Sequence, residues 1–159
     1  ASGPRYTGGV LHTYPNFSST SPSDVTKFTT EFSRFLSTQF GLEAVMRVRA
    51  SKGIRMTAFH GNLFVRSTDL MALPSVVPEN AYGVQMAIEE NITTPFVCFQ
   101  TAVLYTSCGG ERRIRVLTLA VPTTTEMPVV FSNVNQTALV DVLSKMGAWE
   151  ERREWEKWW

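Results

Sequence analysis

From residue 43 apolar residues begin to recur at every second position, a period that points to extended strands. Alternate side chains of a strand lie on opposite faces. In Glu43–Ala50, Met46 and Val48 face one way while Arg47 and Arg49 face the other. Ser51-Lys52-Gly53 makes a turn. Ile54, Met56 and Ala58 then alternate with Arg55, Thr57 and Phe59. His60-Gly61-Asn62 is a second tight connection, and Leu63–Arg66 is expected to pair back on the strand before it. These segments predict an antiparallel meander with one wet face.

The stretch RSTDLMALPSVVPEN at 66–80 contains Pro74 and Pro78 and reads as a loop. Tyr82–Glu89 alternates again. Phe96–Thr106 is a long, nearly continuous apolar strand suited to the middle of a sheet. SCGGE at 107–111 is a hairpin turn into GERRIRVLTLAVP, which carries Arg112, Arg113 and Arg115 at one end and an apolar run at the other. The predicted class is mainly β: an antiparallel β-sandwich or open barrel with one N-terminal and one C-terminal helix.

Residues 1–22 read as loop, with a short extended candidate at Val10–Tyr14 after the Gly8-Gly9 turn. The N-terminal helix follows. Ser21 is its expected cap, Pro22 its first residue, and Asp24 completes a Ser-x-x-Asp capping box. Val25, Phe28, Phe32, Phe35 and Leu36 form an apolar stripe expected to pack into a core, and Gly41 is the expected stop. The C-terminal helix is predicted from about Asn133 to Met146, ended by Gly147. All four tryptophans lie in the closing AWEERREWEKWW. Trp155, Trp158 and Trp159 fall at helical spacing there, as in an interfacial amphipathic helix, although an unrelated extension that orders only against a neighbour is the preferred reading.

Charged residues make up only 18% of the 159 residues and the net charge is +1, so any electrostatic function must come from local clustering. Cys98 and Cys108 form no Cys-x-x-Cys pair, and His12 and His60 are far apart in sequence. Neither a zinc site nor a disulfide framework is expected, and the cysteine usage fits a reducing compartment. No apolar run reaches membrane-spanning length, and no signal peptide is visible. Sequons at Asn16, Asn91 and Asn135 are read as accidental in a chain rich in Ser and Thr. A chain beginning with Ala rather than Met is expected to be a piece of something longer.

Catalytic chemistry finds little support. His60 sits in a Gly-Asn turn, and the adjacent Glu89 and Glu90 point to opposite sides of a strand end. Ser107-Cys108-Gly109-Gly110 lacks the strand-to-helix context of a nucleophile loop. The arginines remain. Arg47, Arg49 and Arg55 lie on two neighbouring strands, and Arg112, Arg113 and Arg115 lie on another. If those strands share a sheet, they make a basic patch able to hold a carboxylate or phosphate through paired hydrogen bonds. The alternative is an ordinary solvated face partly neutralised by Glu43 and Glu111.

Two long stretches, LEAVMRVRASKGIRMTAFHGNLFVRSTDLMALP at 42–74 and FQTAVLYTSCGGERRIRVLTLAVPTTTEM at 99–127, resemble the cargo-adaptor subunit of the COPII vesicle coat. TGGVLHTYPNF and the Phe-rich helix resemble the end of that family's trunk domain, and the likeness runs from about residue 7 to 146. It implies a strand and helix ending the trunk at 1–41, a β-sandwich at 42–131, the start of a helical domain at 132–148, and a Trp-rich tail at 149–159 that departs from the family pattern. The family's zinc finger is absent, so no cofactor is expected in this segment. The implied sandwich lacks one family strand, leaving an exposed edge. The implied role is binding without catalysis. Partners would be the GTPase-activating sister coat subunit, through the parent protein, and cargo sorting signals, at the cytosolic face of the endoplasmic reticulum and its vesicles, peripheral to the membrane. Arg47, Arg49, Ile54 and Arg55 are the leading site candidates, with Arg112, Arg113 and Arg115 beside them. Leu117–Val121 is expected to be locked between the sheets. Alternatives are a bracing segment between trunk and helical domain, or a basic sheet for an acidic partner such as RNA. No aromatic pairs interleave with the arginines, so nucleic acid is not the expected partner.

Overall fold

A computed structural model describes residues 2–156. Helix α1 (Ser2–Thr7) and helix α2 (Pro22–Ser37) precede seven strands. These are β1 (Gly41–Ala50), β2 (Ile54–His60), β3 (Phe64–Ser67), β4 (Leu70–Val76), β5 (Gly83–Ile88), β6 (Phe96–Ser107) and β7 (Arg112–Pro122). Helices α3 (Met127–Ser132) and α4 (Gln136–Glu156) follow. One antiparallel sheet has the order β3-β4-β1-β6-β7, and a second sheet pairs β2 with β5.

The core lies on one face of the five-stranded sheet. Ala44, Met46 and Val48 of β1 are buried beside Met71 (0% exposed) and Leu73 (1%) of β4. Met56 and Phe59 of β2 and Val84 of β5 pack onto them from the second sheet. The alternation in β1 therefore divides apolar from arginine as the sequence pattern predicts.

Several elements depart from the sequence reading. Leu63–Arg66 does not pair back on β2; β3 pairs with β4, and β2 takes β5 instead. The stretch read as a loop contains β4. Its Leu70-Met71-Ala72-Leu73 core has no polar residue to reveal a period. Pro74 is tolerated because it lies at the position the β1–β4 ladder skips, between Leu42↔Ser75 and Ala44↔Leu73, where Glu43 takes a left-handed φ of 50°. Gly41 does not stop a helix: α2 ends at Ser37, with Thr38 N–H bonding Arg34 O at 2.9 Å. Gly41 opens β1, and a Cβ there would lie 2.8 Å from the Tyr105 ring and 3.0 Å from Val76. The expected capping box does not form. Ser21 makes no side-chain cap bond, and Asp24 Oδ2 instead accepts from Ser18 N.

Val10–Tyr14 forms no strand, and α1 occupies part of the expected N-terminal loop. The Phe stripe of α2 is not core: Val25, Phe28, Phe32, Phe35 and Leu36 are all exposed. Its aromatic contacts are local, with Phe28 edge-on to Tyr14 and Phe17 and stacked on Phe32. Tyr14 also donates to Glu31 Oε2 at 2.6 Å, which raises its phenol pKa. Leu117–Val121 is not locked between sheets. β7 is exposed along its whole length, because the two-stranded second layer is narrower than the sheet it covers. Helix α4 continues past Gly147, since one glycine weakens a helix by about 1 kcal/mol without ending it. α3, with Pro128 in its first turn, was absent from the predicted elements. Trp158 and Trp159 lie outside the described residues, as does the side chain of Trp155.

The flanking helices are tied to the sandwich at specific points. Ser75 Oγ donates to Thr7 O at 2.7 Å, and Asn62 Nδ2 to Pro4 O at 3.0 Å. α4 lies against the β2–β5 sheet, where Gln85 Nε2 contacts Met146 Sδ at 3.3 Å.

Replacing Leu73 by Ala is expected to lower the unfolding free energy by about 2–5 kcal/mol. Urea denaturation followed by circular dichroism checks this; an unchanged midpoint would place Leu73 outside the core.

Candidate functional site

The outer face of the five-stranded sheet is set by β1. Residues directly opposite each other in paired strands share a face. Arg47 lies opposite Leu70 of β4 and Ala102 of β6, and Arg49 lies opposite Gln100. Phe64 of β3 reaches the same face through Ala72 and Val45. The short turn between β3 and β4 brings Asp69 alongside. Its carbonyl accepts from Val48 N at 3.3 Å, which fixes the turn on β1. Its Oδ1 accepts from Ser67 Oγ at 3.2 Å. Its Oδ2 lies 3.2 Å from Arg47 Nε and 3.7 Å from Arg49 Nε. Arg47 Nε is buried and its N–H is not aimed at the carboxylate, so this contact is a charge pairing and not a directed hydrogen bond. The cluster is half-open to water, at 43% exposure for the Arg47 side chain and 33% for Asp69.

The other candidates do not join this cluster. Ile54 and Arg55 belong to β2, in the second sheet, where Arg55 Nε pairs with the Glu89 carboxylate. β1 and β2 adjoin in sequence, but the Ser51–Gly53 turn carries the chain from one layer to the other. β7 shares the sheet with β1, yet alternation splits its arginines. Arg112 lies opposite Thr106 on the outer face, and its Nη1 donates to Thr106 Oγ1 at 2.8 Å and to Glu43 O at 3.3 Å. Arg113 and Arg115 lie opposite Tyr105 and Val103, on the inner side. Glu111 accepts from Arg113 Nε at 3.1 Å and raises the guanidinium pKa further. The basic patch that the sequence offers is therefore four separate groups: Arg47 with Arg49, Arg55, Arg112, and Arg113 with Arg115.

Asp69 and Phe64 were missed. Asp69 stands in the stretch read as a loop, and only its place in a tight turn before an apolar run could have marked it. His60 is buried at the end of β2 near Gly83. Lys52 pairs with Glu90 at 3.7 Å. Cys98 and Cys108 are free, and Cys108 Sγ donates to Phe40 O at 3.0 Å. Among the described residues, no three His, Cys, Asp or Glu side chains gather as metal ligands, and no helix is long and apolar enough to cross a membrane.

A family model described as the Sec23/Sec24 beta-sandwich domain matches residues 41–124, more than half of the chain. The match begins at the first residue of β1 and ends just beyond β7. The chain belongs to the Sec23/Sec24 β-sandwich family. Protein transport protein sec24 of Aspergillus clavatus is 52% identical over 141 residues, 89% of this chain and 15% of that protein. The Neurospora crassa protein of the same name matches to the same extent. The crystal structure of the human COPII-coat protein Sec24c superposes with a TM-score of 0.82 at 29% identity, covering 90% of this chain and 19% of that one. The chain thus spans about 15% of the length of these Sec24 relatives. The antiparallel sandwich with flanking helices, implied by the resemblance, is the fold observed.

Exposed ion pairs are worth roughly 0–1 kcal/mol. Asp69→Asn keeps the backbone carbonyl that holds Val48, so it is expected to change the unfolding free energy by no more than about 1 kcal/mol. Urea titration of the variant checks this, and a loss of several kcal/mol would make the cluster a structural brace.

Proposed function

We propose that this chain is the β-sandwich segment of a COPII coat cargo adaptor, and that it works by binding and not by catalysis. The observation that carries this reading is the family match, which takes in the seven-stranded unit as a whole. The named Sec24 relatives are transport proteins, and the solved one is a COPII-coat protein. In the finer form of the reading, a sorting signal with an acidic group docks on the outer face at Arg47 and Arg49, with Phe64 offering apolar surface beside them. Guanidinium forks suit that task, because they bind a carboxylate through two parallel hydrogen bonds. The parent protein would pair with its GTPase-activating sister subunit at the cytosolic face of the endoplasmic reticulum. Arg55, Arg113 and Arg115 fall outside this docking face, and their separation counts against a continuous basic sheet for RNA.

A second reading has its own support. Ser75 to Thr7, Asn62 to Pro4 and Gln85 to Met146 join the sandwich to segments on both sides of it. A purely bracing role would need only these contacts.

Charge-assisted hydrogen bonds contribute about 1.5–3 kcal/mol, so Arg47→Glu with Arg49→Glu is expected to weaken an acidic sorting peptide about tenfold or more. Fluorescence anisotropy with a labelled peptide measures this. Equal affinity for the wild type and the double variant favours bracing.

A further inference from the structure

We propose that Asp69 sets the charge preference of the arginine pair, tuning it to a single peptide carboxylate and against a phosphate dianion. The inference rests on the reading of Arg47 and Arg49 as a ligand-binding pair, and it adds a specificity residue to that pair.

The geometry is particular. Arg47 and Arg49 are two residues apart on one face of one strand, a spacing of roughly 7 Å along the backbone. Asp69 Oδ2 is the carboxylate oxygen nearest both, and Nε is the nitrogen of each that approaches it most closely. Its other oxygen is held by Ser67, and its carbonyl is held by Val48, so the carboxylate is fixed from two sides. Neither arginine donates a hydrogen bond from its Nη groups to a described residue. Asp69 thus draws the two guanidinium groups together, and their outer nitrogens keep their hydrogen-bonding capacity for a ligand.

The same contact fixes the charge. Two guanidinium groups and one carboxylate leave a net charge of one positive unit. A peptide carboxylate matches that balance. A phosphoserine carries about −1.5 to −2 at neutral pH. It exceeds the balance and brings its excess charge close to Asp69. Replacing Asp69 by Asn keeps the shape of the side chain and raises the cluster to two positive units, which favours the dianion selectively.

The test uses two labelled peptides that differ at one position, glutamate in one and phosphoserine in the other. Anisotropy titrations compare the wild type, Asp69→Asn, Asp69→Glu and the Arg47→Glu, Arg49→Glu double variant. The wild type sets the reference ratio of the two affinities. Asp69→Asn is expected to shift the ratio of affinities toward phosphoserine by about fivefold at low salt, with a smaller shift as salt screens the charges. Asp69→Glu should restore the wild-type ratio. A ratio that stays constant in Asp69→Asn, or equal weakening of both peptides, overturns the proposal; if the double variant still abolishes binding, the arginine reading survives. Binding that ignores the double variant, or is missing from the wild type, overturns the arginine reading and the role of Asp69 together.

Discussion

The alternation of side chains along β1 ties the interior of this protein to its exterior. β1 is paired on both sides, with β4 from Gly41↔Val76 to Arg47↔Leu70 and with β6 from Gly41↔Ser107 to Ala50↔Phe99. Its inward residues Ala44, Met46 and Val48 are buried, and its outward residues include Arg47 and Arg49. A slip of one residue would exchange the two sets. Burying guanidinium groups without partners costs several kcal/mol each, so the core and the outer cluster hold the same register for opposite reasons. The register shift between Leu42 and Val45 ends this strict alternation. Beyond it Leu42 lies opposite Thr106 and is exposed. Arg112 bonds the Glu43 carbonyl at that point, so the irregular stretch is linked to β7 across β6.

A second constraint is the mismatch in width between the two layers. Five strands lie on one side and two on the other. The narrow layer covers β4 and β1 well and leaves β7 bare, with Leu117 at 62% exposure and Leu119 at 61%. At the opposite edge β3 is only four residues long, which limits the unpaired backbone it presents. β7 offers eleven residues with one free edge. The Phe-rich face of α2 is exposed for the same kind of reason: the described elements do not supply enough apolar surface to cover it.

Much of the fold was legible because period-two patterns survive wherever one face is wet. β1, β2 and β5 announced themselves that way, and β6 by its long, nearly continuous apolar run. β4 did not, because Leu70–Leu73 is apolar on both faces and Pro74 argues for a loop. Its omission hid Asp69, and with it the partner that turns two arginines into a defined cluster. Layer assignment was equally out of reach. Arg47 and Arg55 look adjacent in sequence, and only the pairing of β2 with β5 separates them. Parity along β7 was readable in principle, since Arg112 and Arg113 must face opposite ways. Its consequence depended on knowing which parity of β7 meets Met46. Helix ends were the least legible, because Gly41 and Gly147 each fit a stop signal while one serves close packing and the other lies inside a helix.

The central claim is that β1, held between β4 and β6 over the Met71–Leu73 core, is the most stable part of the molecule. Hydrogen–deuterium exchange read residue by residue tests it most directly. The amides of β1, and those of β4 and β6 that bond to it, should exchange slowest, while β7 amides on its free edge exchange within the earliest times. Protection of β7 equal to that of β1, or uniformly fast exchange across β1, would contradict the account.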